Sequence, residues 1–152
     1  MIFPDGIKVY GDTSFRNKKC PVEDAELVTF INQIKKLYPN SFGRLILHIP
    51  NEGKRKVHEV ANLKKKGALN TGASDIIIPG SPSLVIEMKR KDHTLSDWQP
   101  GQIEYLEASK KVGCFVCICL GWEAAMMAFN DWRSEHYPMW IDHESINVIN
   151  EF

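Results

Sequence analysis

The chain has 152 residues, 43% of them hydrophobic and 25% charged, which suits a single domain over residues 1–152 that buries most of the surface its unfolded form exposes. Its 19 basic and 19 acidic side chains cancel to a formal net charge of zero, so a nucleic-acid partner cannot be argued from overall charge. No apolar run approaches the ~18 residues of a membrane span, and Met1-Ile2-Phe3-Pro4-Asp5 lacks the basic-then-apolar pattern of a secretion signal, so a cytoplasmic location is expected.

Residues 22 to 37 place Leu27, Phe30, Ile31, Ile34 and Leu37 at helical spacing, ending before Tyr38-Pro39-Asn40; this predicts an amphipathic helix. At about 100° per residue, Glu23 falls near the centre of the apolar stripe and Glu26 towards its edge. A carboxylate on an inner face needs a reason. Either Glu23 answers the positive end of the helix dipole, or it belongs to a functional site. Arg44 to Ile49 then reads as a strand, Pro50-Asn51-Glu52-Gly53 as a turn and about Val57 to Lys66 as a short helix. Residues 53 to 66 carry Lys54, Arg55, Lys56, Lys64, Lys65 and Lys66 against Glu59, whereas 131 to 152 carry Asp131, Glu135, Asp142, Glu144 and Glu151 against Arg133. The basic strip is open to two readings, a solvated helix end and a set of phosphate contacts.

The next stretch is the most specific. Ser74-Asp75-Ile76-Ile77-Ile78 and Leu84-Val85-Ile86-Glu87-Met88-Lys89 flank Pro79-Gly80-Ser81-Pro82-Ser83, the signature of a hairpin with a five-residue loop. A loop symmetric about Ser81 puts Ile78 opposite Leu84, Ile77 opposite Val85, Ile76 opposite Ile86 and Asp75 opposite Glu87. Two carboxylates across a strand pair have Cβ atoms roughly 5 Å apart, and like charges so close are unfavourable unless a cation lies between them. Lys89 projects from the same face as Glu87. Asp, Glu and Lys therefore converge.

His93-Thr94-Leu95-Ser96-Asp97 reads as a loop leading to a helix from about Trp98 to Lys111, with Pro100 in its first turn. Ser96-x-x-Gln99 fits a capping box. Gln102 shares a face with Leu106, so its amide points inward, where an unpaired one costs about 1–3 kcal/mol. Val112 to Leu120 is a continuous buried-strand pattern. It carries three of the four cysteines, and period-two geometry separates Cys114 from Cys117 and Cys119, which argues against a zinc site. Free cysteines suit a reducing compartment. Gly121 to about Trp132 reads as a last helix; its Met126, Met127, Phe129 and Trp132, with Tyr137, Met139 and Trp140 beyond, suit either core or a dimer surface. The five histidines show no metal-ligand spacing.

The Asp75…Glu87-x-Lys89 pattern resembles the PD-(D/E)XK nuclease superfamily, and its surroundings resemble the VRR-NUC branch. His48-Ile49-Pro50-Asn51-Glu52-Gly53-Lys54-Arg55 is similar to that family's h-x-P-N-x-G-x-R segment, Gly67 and Gly72-x-x-Asp75 to its G…GxxD signature, and Leu95-Ser96 with Gln102-Ile103-Glu104-Tyr105-Leu106 to its S…Q-x-x-[WY]-L helix. Gly113 and Phe115 to Leu120 complete the likeness, which covers roughly residues 22 to 128. Ser74 stands where the superfamily name has Pro. The resemblance implies a restriction-endonuclease-like α/β fold, a central mixed sheet flanked by helices with an αβββαβ core. It also implies an acid from the first helix, Glu23 with Glu26 as the reserve, and a Gln completing the active site, for which Gln102 aligns better than Gln99.

Carboxylate oxygens favour Mg²⁺ or Mn²⁺ over softer metals, so Asp75 and Glu87 are expected as metal ligands with the carbonyl of Met88 as a third. Lys89 is expected to orient the attacking water or stabilise the transition state. Asn51, Lys54, Arg55 and Lys56 are expected on DNA. By analogy with stand-alone VRR-NUC proteins, the expected function is a metal-dependent, structure-specific DNA endonuclease, a homodimer acting on branched DNA as Holliday-junction resolvases do. A non-cleaving nucleic-acid-binding module and a flap- or end-directed nuclease stay open as alternatives.

Overall fold

A computed structural model of the chain describes residues 1–49, 61, 62, 65, 70 and 72–140. In chain order it contains β1 (Lys8–Tyr10), α1 (Glu23–Leu37), α2 (Phe42–Leu45), β2 (Leu47–His48), β3 (Ile76–Ile78), β4 (Leu84–Lys89), α3 (Gln102–Lys111), β5 (Phe115–Leu120) and α4 (Trp122–His136), with short 3₁₀ turns at His93–Leu95 and Pro138–Trp140. The strands form one five-stranded sheet in the order β1-β5-β4-β3-β2. β5 runs parallel to both β1 and β4, while β3 is antiparallel to β4 and β2. The expected α/β architecture and αβββαβ order are present, and β1 adds an edge strand that the sequence reading did not anticipate.

Two apolar layers cover the sheet. Even-numbered residues of β3 and β4 (Ile76, Ile78, Leu84, Ile86, Met88), with Cys117 and Cys119 of β5, pack under Leu27, Phe30 and Ile34 of α1 and Ala125, Phe129 and Trp132 of α4. On the other face Val85, Val116, Ile118 and Leu120 meet Leu106 of α3. All six residues of β4 are buried, as befits a central strand covered on both sides, and Glu87 and Lys89 are the charged members of it. The separation of Cys117 and Cys119 from Cys114 follows the expected alternation. Among the described residues no helix is long and apolar enough to cross a membrane.

Several boundaries differ from expectation. The strand predicted over 44–49 is reduced to Leu47–His48 because Phe42–Leu45 turns helical. Phe42 inserts its ring among Tyr38, Phe129, Trp132 and Tyr137, and Gly43 lies so close to α1 that a Cβ would sit 2.6 Å from the Tyr38 carbonyl oxygen. α3 begins at Gln102, not Trp98: the residue before Pro100 is biased away from helix, and Gly101 sits at φ +85°. β5 begins at Phe115 because α3 ends in a Schellman turn, with Gly113 N–H on the Lys110 carbonyl and Cys114 N–H on that of Ser109. The helix expected over 57–66 is described only at Ala61, Asn62 and Lys65, which are helical.

Phe129 and Trp132 are fully buried and Met126 and Tyr137 pack against the same core, so these apolar residues complete a monomer's interior; Met127 and Met139 are exposed. The end of α4 also pins the hairpin loop, Trp132 Nε1 donating to the Pro82 carbonyl (2.9 Å) and Ser81 N–H donating to Tyr137 Oη (2.8 Å).

Candidate active site

The hairpin register is the expected one, with Ile76 opposite Ile86, Ile77 opposite Val85 and Ile78 opposite Leu84. Asp75 precedes β3 by one residue and closes the hairpin from its side chain: Met88 N–H donates to Asp75 Oδ2 at 2.8 Å. Because the N–H and C=O of one strand residue point to the same side, the Met88 carbonyl also faces the β3 side, where Asp75 lies. The backbone of Asp75 is held from the other flank, its carbonyl accepting from Ile49 N–H (2.9 Å) and lying 3.3 Å from His48 Nδ1.

Glu87 is 1% exposed and Lys89 equally buried, with Lys89 Nζ 3.4 Å from Glu87 Oε1. That ammonium also donates to the Asp97 carbonyl (3.0 Å) and Gln102 Oε1 (2.9 Å) and lies 4.7 Å from the centroid of the Trp98 ring. Its three N–H donors are thus all engaged. Gln102 Oε1 accepts a second bond from Gln99 N–H at 2.9 Å, so the inward amide is satisfied and fixed. The capping box expected at Ser96 and Gln99 does not form. Instead Ser96 Oγ donates to Glu23 Oε1 (2.6 Å) and accepts from Arg90 N–H (3.0 Å), and the helix starts three residues after Gln99.

The two candidate acids on α1 exchange the environments expected of them. Glu26 is the one on the buried stripe, 4% exposed, and its Oε2 accepts from Trp122 N–H at 2.6 Å, capping the N-terminus of α4. Glu23, in the first turn of α1, is half-buried and lines an open cleft of about 290 Å³ together with Asp75, Lys89, Arg90, Ser96 and Gln102. The buried stripe of α1 runs through Glu26, Leu27, Phe30 and Ile34 and does not include Glu23, which stays at the cleft.

Electrostatically the site is over-supplied with negative charge. Burial raises the Asp75 carboxyl above its ordinary value, the Met88 N–H only partly opposes this, and the Glu23 charge adds to it. Glu87 is pushed well above its ordinary value by burial first and by the Asp75 charge second, with Lys89 pulling the other way. Glu87 Oε2 accepts no hydrogen bond from any described donor, although a buried, unpaired carboxylate oxygen is costly. A hard cation satisfies all three conditions: oxygen donors only, excess negative charge, and an orphaned acceptor. Among the described residues no group of three or more His, Cys, Asp or Glu side chains forms a metal cage.

One backbone contact locks this geometry. Gly72 has φ +79°, and a Cβ there would lie 2.1 Å from the carbonyl carbon of Gly101, so the approach to Asp75 passes directly over the start of α3. Sequence reasoning missed the contribution of Asp97 and Trp98 to the Lys89 shell. A backbone carbonyl carries no signal in the sequence, and Trp98 was absorbed into a helix that starts later. Asn51, Lys54, Arg55 and Lys56 lie outside the described residues.

No protein-family model matches the chain, and no curated protein sequence does so either. A solved structure of a "VRR_NUC domain protein" aligns with 74% of this chain and 88% of that one, at 25% identity and a TM-score of 0.57. The chain therefore has a VRR_NUC-like, restriction-endonuclease-like fold at a distant sequence similarity.

Proposed function

We propose that this protein is a metal-dependent DNA endonuclease that hydrolyses phosphodiester bonds in branched DNA, with Mg²⁺ or Mn²⁺ as cofactor, and that it acts on four-way junctions as a homodimer. The reading rests on the half-buried Asp75 beside the buried Glu87 and Lys89, with their excess negative charge and the orphaned Glu87 oxygen, carried on a fold shared with a VRR_NUC domain protein. Asp75, Glu87 and the Met88 carbonyl would hold the ion. When bound, such an ion neutralises phosphate charge and makes a bound water more acidic.

The chain's own residues do the rest. A water oxygen adds to phosphorus and gives up a proton to solvent, the bond to the leaving alkoxide breaks, and the alkoxide takes a proton from solvent, so that one water is consumed. Lys89 supplies a fixed positive charge beside the reacting phosphate and orients the attacking water. Of its three polar contacts, the 3.4 Å one to Glu87 is the longest and the one exchanged for substrate. Gln102 and the Asp97 carbonyl keep Nζ in place during that exchange. Glu23, held by Ser96, would orient water at the cleft's open side.

The test is to incubate the protein with end-labelled four-way, flap, splayed and linear duplex DNA in Mg²⁺, Mn²⁺ or EDTA. Cutting of the junction at two symmetric positions, abolished by EDTA and by Asp75→Ala, is expected. Binding without cutting under every metal condition would reject the enzyme. Flap cutting with the junction left intact would reject only the junction assignment.

A further inference from the structure

We infer that the loops carrying Arg16, Lys18, Lys19 and Lys91, adjoining in the chain the segments that enter the cleft at residues 22–24 and 89–90, form a docking surface for the phosphate backbone of duplex DNA; this rests on the nuclease reading of the neighbouring site. The segment before α1 is pinned along the exit of β4 at two places. Asn17 N–H donates to Asp92 Oδ2 (2.9 Å), while the Arg90 guanidinium donates to the Cys20 carbonyl (2.6 Å) and the Pro21 carbonyl (3.1 Å). Between the pins the chain makes a tight turn, Cys20 N–H on the Asn17 carbonyl (3.0 Å) and Lys19 N–H on Asn17 Oδ1 (2.9 Å). Lys18 and Lys19 occupy its tip with exposed side chains.

The neighbouring cations are held in place as well. Arg16 donates to the carbonyls of Thr13 and Phe15, and Lys91 Nζ lies 4.8 Å from the Phe15 ring centroid. None of these four forms an ion pair with a described carboxylate. Asp92, the acid between the loops, has its carboxylate engaged by Asn17 and Thr94. Asp12 lies within the electrostatic reach of Arg16 and Lys91, and Asp92 within that of Arg16, whereas Lys18 and Lys19 stand exposed at the turn's tip without a described carboxylate partner; cations so presented on an anchored turn fit a polyanion whose charges recur every few ångströms.

Its position selects DNA. Lys19 precedes Glu23 by four residues, at most about 14 Å of chain, and Arg90 directly follows Lys89 and lines the same cleft. Phosphates spaced about 3.4 Å along the helix axis would put the patch within a few nucleotides of a phosphate at Lys89. The surface thus holds the strand that flanks the cut, without reading bases.

Binding of fluorescent duplex and four-way DNA by anisotropy in EDTA, where no cutting is expected, tests this over a range of salt. Lys18→Ala/Lys19→Ala should weaken binding at least about tenfold and lower the slope of log K against log salt by about 2, since each lost phosphate contact removes about 0.9. Lys18→Glu/Lys19→Glu should weaken it further. The same charge reversal at Lys35 and Lys36, exposed in the last turn of α1 away from the cleft, should have little effect. Equal loss from both reversals, or an unchanged slope in a variant that still cuts DNA, overturns the docking surface and leaves the nuclease reading intact. Wild-type protein that neither binds nor cuts DNA overturns both.

Discussion

Asp75 and Glu87 burden the metal-free fold. Both carboxyls have native pKa values above their ordinary ones, so the native state binds more protons than the unfolded state once the pH passes the usual carboxylate range. Stability therefore falls as pH rises through that window, and the full penalty applies above the native pKa. Asp75→Asn removes one of the two repelling charges while keeping an acceptor for Met88 N–H and leaving Lys89 paired with Glu87. We expect this variant to melt higher than wild type at neutral pH without metal, with the difference vanishing at the acid end of a pH series. Mg²⁺ should reverse the order, stabilising wild type by about 2.7 kcal/mol at 100 times Kd and leaving the variant unchanged. Cleavage by Asp75→Asn should fall by more than ~100-fold. At limiting Mg²⁺ the acid limb of the wild-type pH–rate profile should lie above that of a free carboxylate and move to lower pH as Mg²⁺ is raised, because the ion needs both groups ionised and competes with their protons. A calorimetric melt insensitive to pH would contradict this account.

The two acids of α1 also separate by experiment. Glu26→Gln weakens the cap on α4 and should cost about 0.5–2 kcal/mol of stability while leaving cleavage rates near wild type. Glu23→Gln keeps its Ser96 partner and should do the reverse, lowering the rate with little change in melting temperature. Rates and melts on the same two preparations decide it.

At the scale of elements, the site is made where three of them meet: the hairpin supplies Asp75, Glu87 and Lys89, α3 supplies Gln102, and α1 supplies Glu23. The contact that registers them is Gly72 on Gly101. Gly72→Ala puts a Cβ into backbone at a left-handed φ, so a loss of about 1–3 kcal/mol is expected, together with a rate loss larger than the stability loss explains. An alanine variant with wild-type kinetics and melting temperature would show that the approach to Asp75 is plastic. The 92–98 segment is equally an element of the site, since it carries both the carbonyl and the ring that hold Lys89.

At the scale of the molecule, the apolar residues once available for a dimer surface have been spent on the core. Phe129, Trp132 and Tyr137 form one aromatic cluster with Tyr38 and Phe42. The proposed homodimer must use other residues, and Val28, Leu47 and Met127 are the large hydrophobics more than half exposed on α1, β2 and α4. Sedimentation at micromolar concentration should give twice the 17.4 kDa chain mass, and a monomer that still resolves junctions would remove dimerisation from the mechanism.

The sequence by itself determined the hairpin, its register and the convergence of Asp75, Glu87 and Lys89, because a period of two and a short Pro/Gly loop leave little freedom in pairing. It also determined the order of the core elements and the inward Gln102, since an amide on an apolar helix face requires a partner. What it could not determine depends on contacts between segments far apart in the chain. Glu26 is on the buried stripe because α4 presents an N-terminus there, and Glu23 reaches the cleft because Ser96, 73 residues away, holds it. The N-terminal strand pairs with β5 across more than 100 residues, and the Asp97 carbonyl at Lys89 belongs to the backbone. Local pattern fixes which residues face the same way; only the packed chain decides which distant groups they meet.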